Sequence, residues 1–215
     1  MARRRTKPAT AVAGIIPLAL GLTPMLGPPR TPPAAPLTAP IGIAALYPDS
    51  ERTPGVPNPD VRQDNIADNL CSKTWSTSTI RPPASYTSPL KVQQMKEYGD
   101  TVADPGATCM IGSDNPKCYE EDHLISLENG GDPKDPMNLW PEPYNTQVKG
   151  ATVGARQKDL VEGFIHDEIC FAIPNSKKNG HLPAKTSVTL ARAHQILTSD
   201  WYSCYVTMQG SGICK

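Results

Sequence analysis

The chain has 215 residues, which at roughly 100 to 200 residues per domain leaves room for one globular unit with flanking segments and excludes a second full domain. Its 21 basic and 21 acidic residues balance, but residues 1 to 46 hold five of the basic ones and none of the acidic ones. The remainder, sixteen basic against twenty-one acidic, has a formal charge of −5, which excludes the broad basic footprint of a nonspecific nucleic-acid coat.

In chain order, Arg3, Arg4 and Arg5 precede an apolar stretch from Ala11 to Leu26, the build of an export signal, and residues 1–26 are read as that segment. Pro17 and Pro24 interrupt the stretch, which falls short of the roughly 20 clean apolar residues of a membrane span, so no stable span is expected. Residues 27–59 are dense in proline and carry little hydrophobic periodicity, so they read as a disordered or polyproline-like spacer. The folded domain is expected to begin near Asn58 and to occupy 60–215. Arg81-Pro82-Pro83 forces extended backbone. A short packing helix follows, with Ser88 as its cap, Pro89 in its first turn and Gly99 as its stop.

Residues 100–117, rich in Gly, Asp and Pro, read as a loop. The next unit is a hairpin, with CYEEDHLISL as one arm, ENGGDPKDPM as the turn and NLWPEP as the other arm. In QKDLVEGFIHDEIC, Leu160, Val161, Phe164, Ile165 and Ile169 share one arc of a helix at about 100° per residue, and Asp159, Glu162 and His166 share the other. The last helix, VTLARAHQILTSDW, presents Leu190, Ala193, Leu197 and Trp201 in the same way. The expected class is α+β: a hairpin-plus-helix core with additional packing helices.

Six cysteines follow the leader without a CxxC pair. In an exported chain an even number without metal-type spacing reads as three disulfides, and six cysteines allow many pairings. The favoured set closes two short loops, Cys109 with Cys118 and Cys204 with Cys214, and leaves Cys71 for Cys170. Free buried thiols are the alternative.

Asp122 and His123 end one arm, Gly130 and Gly131 lie in the turn, and Asn138 and Leu139 open the other arm. Each piece alone has an ordinary reading: an exposed polar pair, a turn, a strand start. In this order and spacing they resemble the HNH nuclease family, whose fold is two antiparallel strands and a helix gripping one divalent metal, the ββα-metal core. The resemblance is closest to small bacterial members reading EDHLI, then GG, then NLWPEPY, then a helical KDxxE followed by a cysteine. Here those pieces are Glu121 to Ile125, Gly130-Gly131, Asn138 to Tyr144, Lys158-Asp159 with Glu162, and Cys170. The resemblance is specific between 119 and 170.

The residue types suit the chemistry. Cleaving a phosphodiester needs a base for water, and histidine, with an unperturbed pKa of about 6.5, suits that task at His123. It also needs a cation to neutralise developing charge. Asp122 suits a hard ion, magnesium or manganese first, with zinc, nickel or calcium also open. Adjacent strand residues point to opposite faces, so Asp122 and His123 both serve only if the strand bends or ends there. The resemblance implies that the metal lies between hairpin and helix and that the Asn138 amide holds the loop and the histidine in place. No histidine stands early in the following helix, and Asp159 is the preferred second ligand, ahead of Glu162 and His166. Asp159 and Glu162 as a solvated acidic face is the competing reading. Lys158 is read as a phosphate contact or an ordinary surface lysine. Trp140 is read as a core anchor, and His181 and His194 receive no role.

The resemblance therefore implies an exported, metal-dependent endonuclease acting on DNA, with RNA also open. The alternative, favoured by the acidic charge, is a non-catalytic secreted or cell-envelope binding module on the same scaffold. Neither HExxH nor GxSxG occurs and scattered carboxylates prove nothing, so a peptidase or glycosidase reading lacks support.

Overall fold

The computed structural model describes residues 46–99, 108–180 and 182–214. The export segment and the spacer up to residue 45 lie outside the described residues, as does His181. The described residues are mixed α and β, with helices α1 (Ala84–Glu97), α2 (Ala155–Ile169), α3 (Leu190–Ser199) and α4 (Trp201–Ser211) and strands β1 (Tyr119–His123), β2 (Leu139–Pro143), β3 (Thr146–Val148) and β4 (Ala151–Val153). β1 pairs with β2 and β3 with β4, both antiparallel. No helix among the described residues is long and apolar enough to cross a membrane.

Packing begins earlier than Asn58. Leu46 is buried in the main core, and the Trp201 indole donates to its carbonyl at 3.1 Å. Gly55 N–H donates to the Met137 carbonyl, and Pro57 bridges to Gly131. Proline-rich sequence removes backbone donors but does not prevent such edge contacts, which hide 46–57 from a reading by periodicity.

α1 also starts earlier than expected, at Ala84 with Pro83 as N-cap, so Pro89 lies inside it. The carbonyl that Pro89 cannot serve is that of Ser85 on the exposed side of the helix, where water can satisfy it. The second hairpin turns on Lys149 and Gly150, both at positive φ (49° and 84°), as a tight primed turn requires.

The core gathers Leu70, Val161, Phe164, Ile165, Leu197 and Trp201. The apolar arc of α2 faces it, as periodicity requires. Most of the opposite side is buried too, because Lys158, Glu162, His166 and Glu168 are all covered and only Asp159 of the polar arc is exposed. The expected last helix is two, α3 and α4, broken at Asp200, whose φ of −146° leaves the helical region.

Three disulfides brace this unit: Cys71–Cys170, Cys109–Cys118 and Cys204–Cys214. The first closes a sequence separation of 99 residues and locks the end of α2 to the turn before α1. In the chain-entropy account a loop of that size contributes about 4–5 kcal/mol.

Candidate functional site

The site is built on the β1–β2 hairpin. Its register sets Glu120 opposite Glu142, Asp122 opposite Trp140 and His123 opposite Leu139. Side chains alternate along a strand, and opposed residues share a face. Glu120, Asp122, Trp140 and Glu142 therefore lie on one face, which meets Lys158 of α2. Glu121, His123 and Leu139 belong to the other face, towards α1, whose Gln94 donates to the Leu139 carbonyl at 2.8 Å. β1 ends at His123, the strand end that its double use with Asp122 requires.

Behind His123 the chain loops from Leu124 to Pro136, and Asn138 ties the loop shut. Its amide nitrogen donates to the carbonyls of Ile125 (3.0 Å) and Asp132 (2.9 Å), and its oxygen accepts from the N–H groups of Ile125 (3.0 Å) and Val56 (3.3 Å). All four hydrogen-bonding positions of the amide are used in a side chain with no exposed surface. The two glycines follow from this. Gly130 takes φ +83°, and a Cβ on Gly131 would stand 1.8 Å from the Ile125 carbonyl oxygen and 2.7 Å from the Asn138 amide nitrogen.

The loop in turn aims His123. Its Nε2 lies 3.1 Å from the Pro133 carbonyl. A carbonyl only accepts, so Nε2 carries the proton and Nδ1 keeps its lone pair in the neutral ring. Burial lowers the imidazole's pKa, and the nearby Asp122 carboxylate and the Pro133 carbonyl offset this only in part. The ring is 3% exposed and neutral at pH 7.

On the other face, Lys158 comes from the first turns of α2 and is fully buried. Its ammonium donates to Asp122 Oδ2 at 2.5 Å, to the His123 carbonyl at 3.0 Å and to Glu162 Oε1, and it lies 3.9 Å from Glu142 Oε2. An ammonium has three donors, and these three partners use them all. Glu142 buries both carboxyl oxygens without a donor and shares a hydrogen bond with Asp122.

Burial raises Glu142 and Glu162 well above the carboxylate range against the pull of Lys158. Burial would raise Asp122 as well, but Lys158 and the Glu142 hydrogen bond bring it below its ordinary value. Burial would also lower Lys158, but Asp122, Glu162 and Glu142 hold it well above. One buried ammonium is thus set among three buried acids, of which Asp122 alone is moved towards its charged form.

Comparison with protein-family models, with curated proteins and with solved structures found no match.

The structure thus joins Asp122 and Lys158 on one face of the hairpin and sets His123 on the other, with the Lys158 bond to the His123 carbonyl as the link and Asn138 holding the loop behind. Asp159 is exposed at the rim, its carboxyl raised by burial and by Asp122. Glu120, beside it, is pushed up to about 6 by burial and by Asp122 and Asp159. Of the two residues of the competing solvated acidic face, Asp159 is exposed but Glu162 is buried and binds Lys158, and His166 is buried with Nε2 2.9 Å from the Leu70 carbonyl. Lys158 has no surface to offer a phosphate. Trp140 is buried, and His194 Nε2 lies 2.8 Å from the Asn129 carbonyl.

The arrangement does not fit the expected divalent ion. The Asp122 carboxylate is already held by an ammonium. A dication about 4 Å from that ammonium would meet about 8 kcal/mol of repulsion at an effective dielectric of about 20. Among the described residues no three His, Cys, Asp or Glu side chains are grouped so as to hold a metal.

Two residues escaped the sequence reading. Glu142 was legible through strand parity with Asp122. Arg81 is exposed, and its charge acts on His123, Glu120 and Asp159 across a long stretch of chain that no local pattern joins.

Proposed function

We propose that this chain is an exported HNH-type hydrolase of phosphodiester bonds, with DNA as first substrate class and His123 as general base. The single observation that carries the reading is the fixed tautomer of His123, with Nε2 on a carbonyl of a loop that Asn138 holds. In the reaction, Nδ1 takes a proton from water, the water oxygen bonds to phosphorus, and the bond from phosphorus to the leaving oxygen breaks. That oxygen then takes a proton from solvent. Arg81, an exposed cation whose charge acts on His123, is the candidate contact for the non-bridging oxygens, where a planar guanidinium binds in bidentate fashion. Three disulfides support an extracytoplasmic setting.

The near-complete burial of His123 and the acidic charge favour a second reading, a disulfide-braced binding module on the same scaffold.

The test is hydrolysis of plasmid DNA and of bis(p-nitrophenyl) phosphate by the purified chain with its disulfides formed. His123→Ala should slow turnover about 10²- to 10⁴-fold with little change in melting temperature. Arg81→Ala should raise KM more than it lowers kcat. The rate should fall as pH drops through the imidazole's lowered pKa, because the protonated ring cannot accept a proton; the midpoint of the fall therefore lies below the ordinary imidazole value. A parent inert on both substrates would leave the binding module as the reading.

A further inference from the structure

We infer that the hairpin–helix junction carries its own cation: the Lys158 ammonium stands in the place of a divalent metal, and no dication binds there. The inference rests on the HNH-type reading above, since that reading puts a metal between the hairpin and the helix.

Three observations support it. Lys158 leaves the first turns of α2 and reaches Asp122 on the hairpin face, so the ammonium occupies the space between strand and helix. Its three donors end on Asp122, Glu162 and the His123 carbonyl, so its coordination is complete without solvent or substrate. Its side chain has no exposed surface, which rules out a share in substrate binding while it stays in this cluster.

The ammonium also cannot leave cheaply. Withdrawing it would strand Asp122, Glu142 and Glu162 together in the interior with no counter-charge. A monovalent cation on a flexible stem thus does what a dication does in such a junction: it cross-links helix to strand and compensates the buried acids. Through the His123 carbonyl it also anchors the backbone of the proposed base. Lys158 is a positioning residue here, and catalysis at this site proceeds in the presence of chelator.

Two measurements test this without relying on turnover. The first titrates Mn²⁺ into the intact, disulfide-bonded parent, following free Mn²⁺ by electron paramagnetic resonance and melting temperature in parallel. The parent should retain no Mn²⁺ and show no shift; Mn²⁺ that still binds to Asp122→Asn lies elsewhere and agrees with the inference. One Mn²⁺ per chain that is lost in Asp122→Asn would overturn it.

The second uses Lys158→Ala, which empties the ammonium's place, so that Asp122, Glu142 and Glu162, which do not group as a metal site in the parent, can close on an ion. This variant should gain one Mn²⁺ and a melting temperature rise of about 5 °C at about 100-fold excess over Kd. A folded variant that binds none would overturn the equivalence of ammonium and metal. If Lys158→Ala folds under no condition, the parent's titration decides alone. Turnover separates the two readings: a parent inert on every substrate sinks the hydrolase while the Mn²⁺ result stands, and a parent active with Mg²⁺ but not with EDTA sinks the inference while the hydrolase stands.

Discussion

The two faces of the β1–β2 hairpin each meet a lysine, and the two lysines behave in opposite ways. On the α2 face, Lys158 is buried among Asp122, Glu162 and Glu142, and their charge holds its pKa well above the ordinary value in spite of burial. On the α1 face, Lys91 is half-buried and donates to the Tyr119 carbonyl at 2.8 Å, and burial brings its pKa down although Glu121 and Glu120 oppose this. Glu121, on that same face, has two buried oxygens without a donor and is pushed up to about 8 by burial. A buried charge is therefore held by the number and closeness of its counter-charges. Where acids converge from strand and helix the lysine stays charged and becomes a cross-link. Where one acid stands apart, both partners drift towards neutrality.

The comparison can be broken most sharply at Lys158. Lys158→Met removes one side of a buried pair and should cost about 3–5 kcal/mol in denaturant unfolding at pH 7. A loss below about 1 kcal/mol would mean the acids are neutral without it. Next comes the loop between the two faces: Asn138→Ala leaves the buried N–H and carbonyl of Ile125 and the part-buried Val56 N–H and Asp132 carbonyl without this partner and should cost about 2–4 kcal/mol. It should also lower turnover, because the Pro133 carbonyl loses its fixed position relative to His123.

Smaller effects belong to the α1 face. Glu121 has a folded pKa of about 8 against an ordinary value of 4.5, so the folded state binds its proton more tightly than the unfolded chain does. Its contribution is favourable below pH 4.5 and is lost as pH rises through 8. Glu121→Gln should therefore stabilise by about 1–2 kcal/mol at pH 9 and have no effect near pH 4, as followed by melting temperature at each pH. Lys91→Met should shift stability by less than about 1 kcal/mol, since its partners are a carbonyl and a distant acid. Equal losses at Lys91 and Lys158 would erase the distinction between the faces.

The sequence by itself determined the parts whose signals are short in range. Gly130-Gly131 and Asn138 marked the hairpin because a positive φ and a close backbone approach admit few residues. The apolar arc of α2 marked its core face, and the short cysteine spacings fitted two of the three disulfides. The turn at Lys149-Gly150 was equally legible in principle, with β-branched residues on either side. What only the tertiary structure decided is the environment of each charge. That Glu162 is buried rather than solvated, that Glu142 joins Asp122, that the charge of Arg81 acts on His123 and that Lys158 is buried among acids all depend on the strand register and on α2 docking across it. Helical and strand periodicity assign a residue to a face. They do not say whether that face meets water, and for an ionisable group that contact decides its charge.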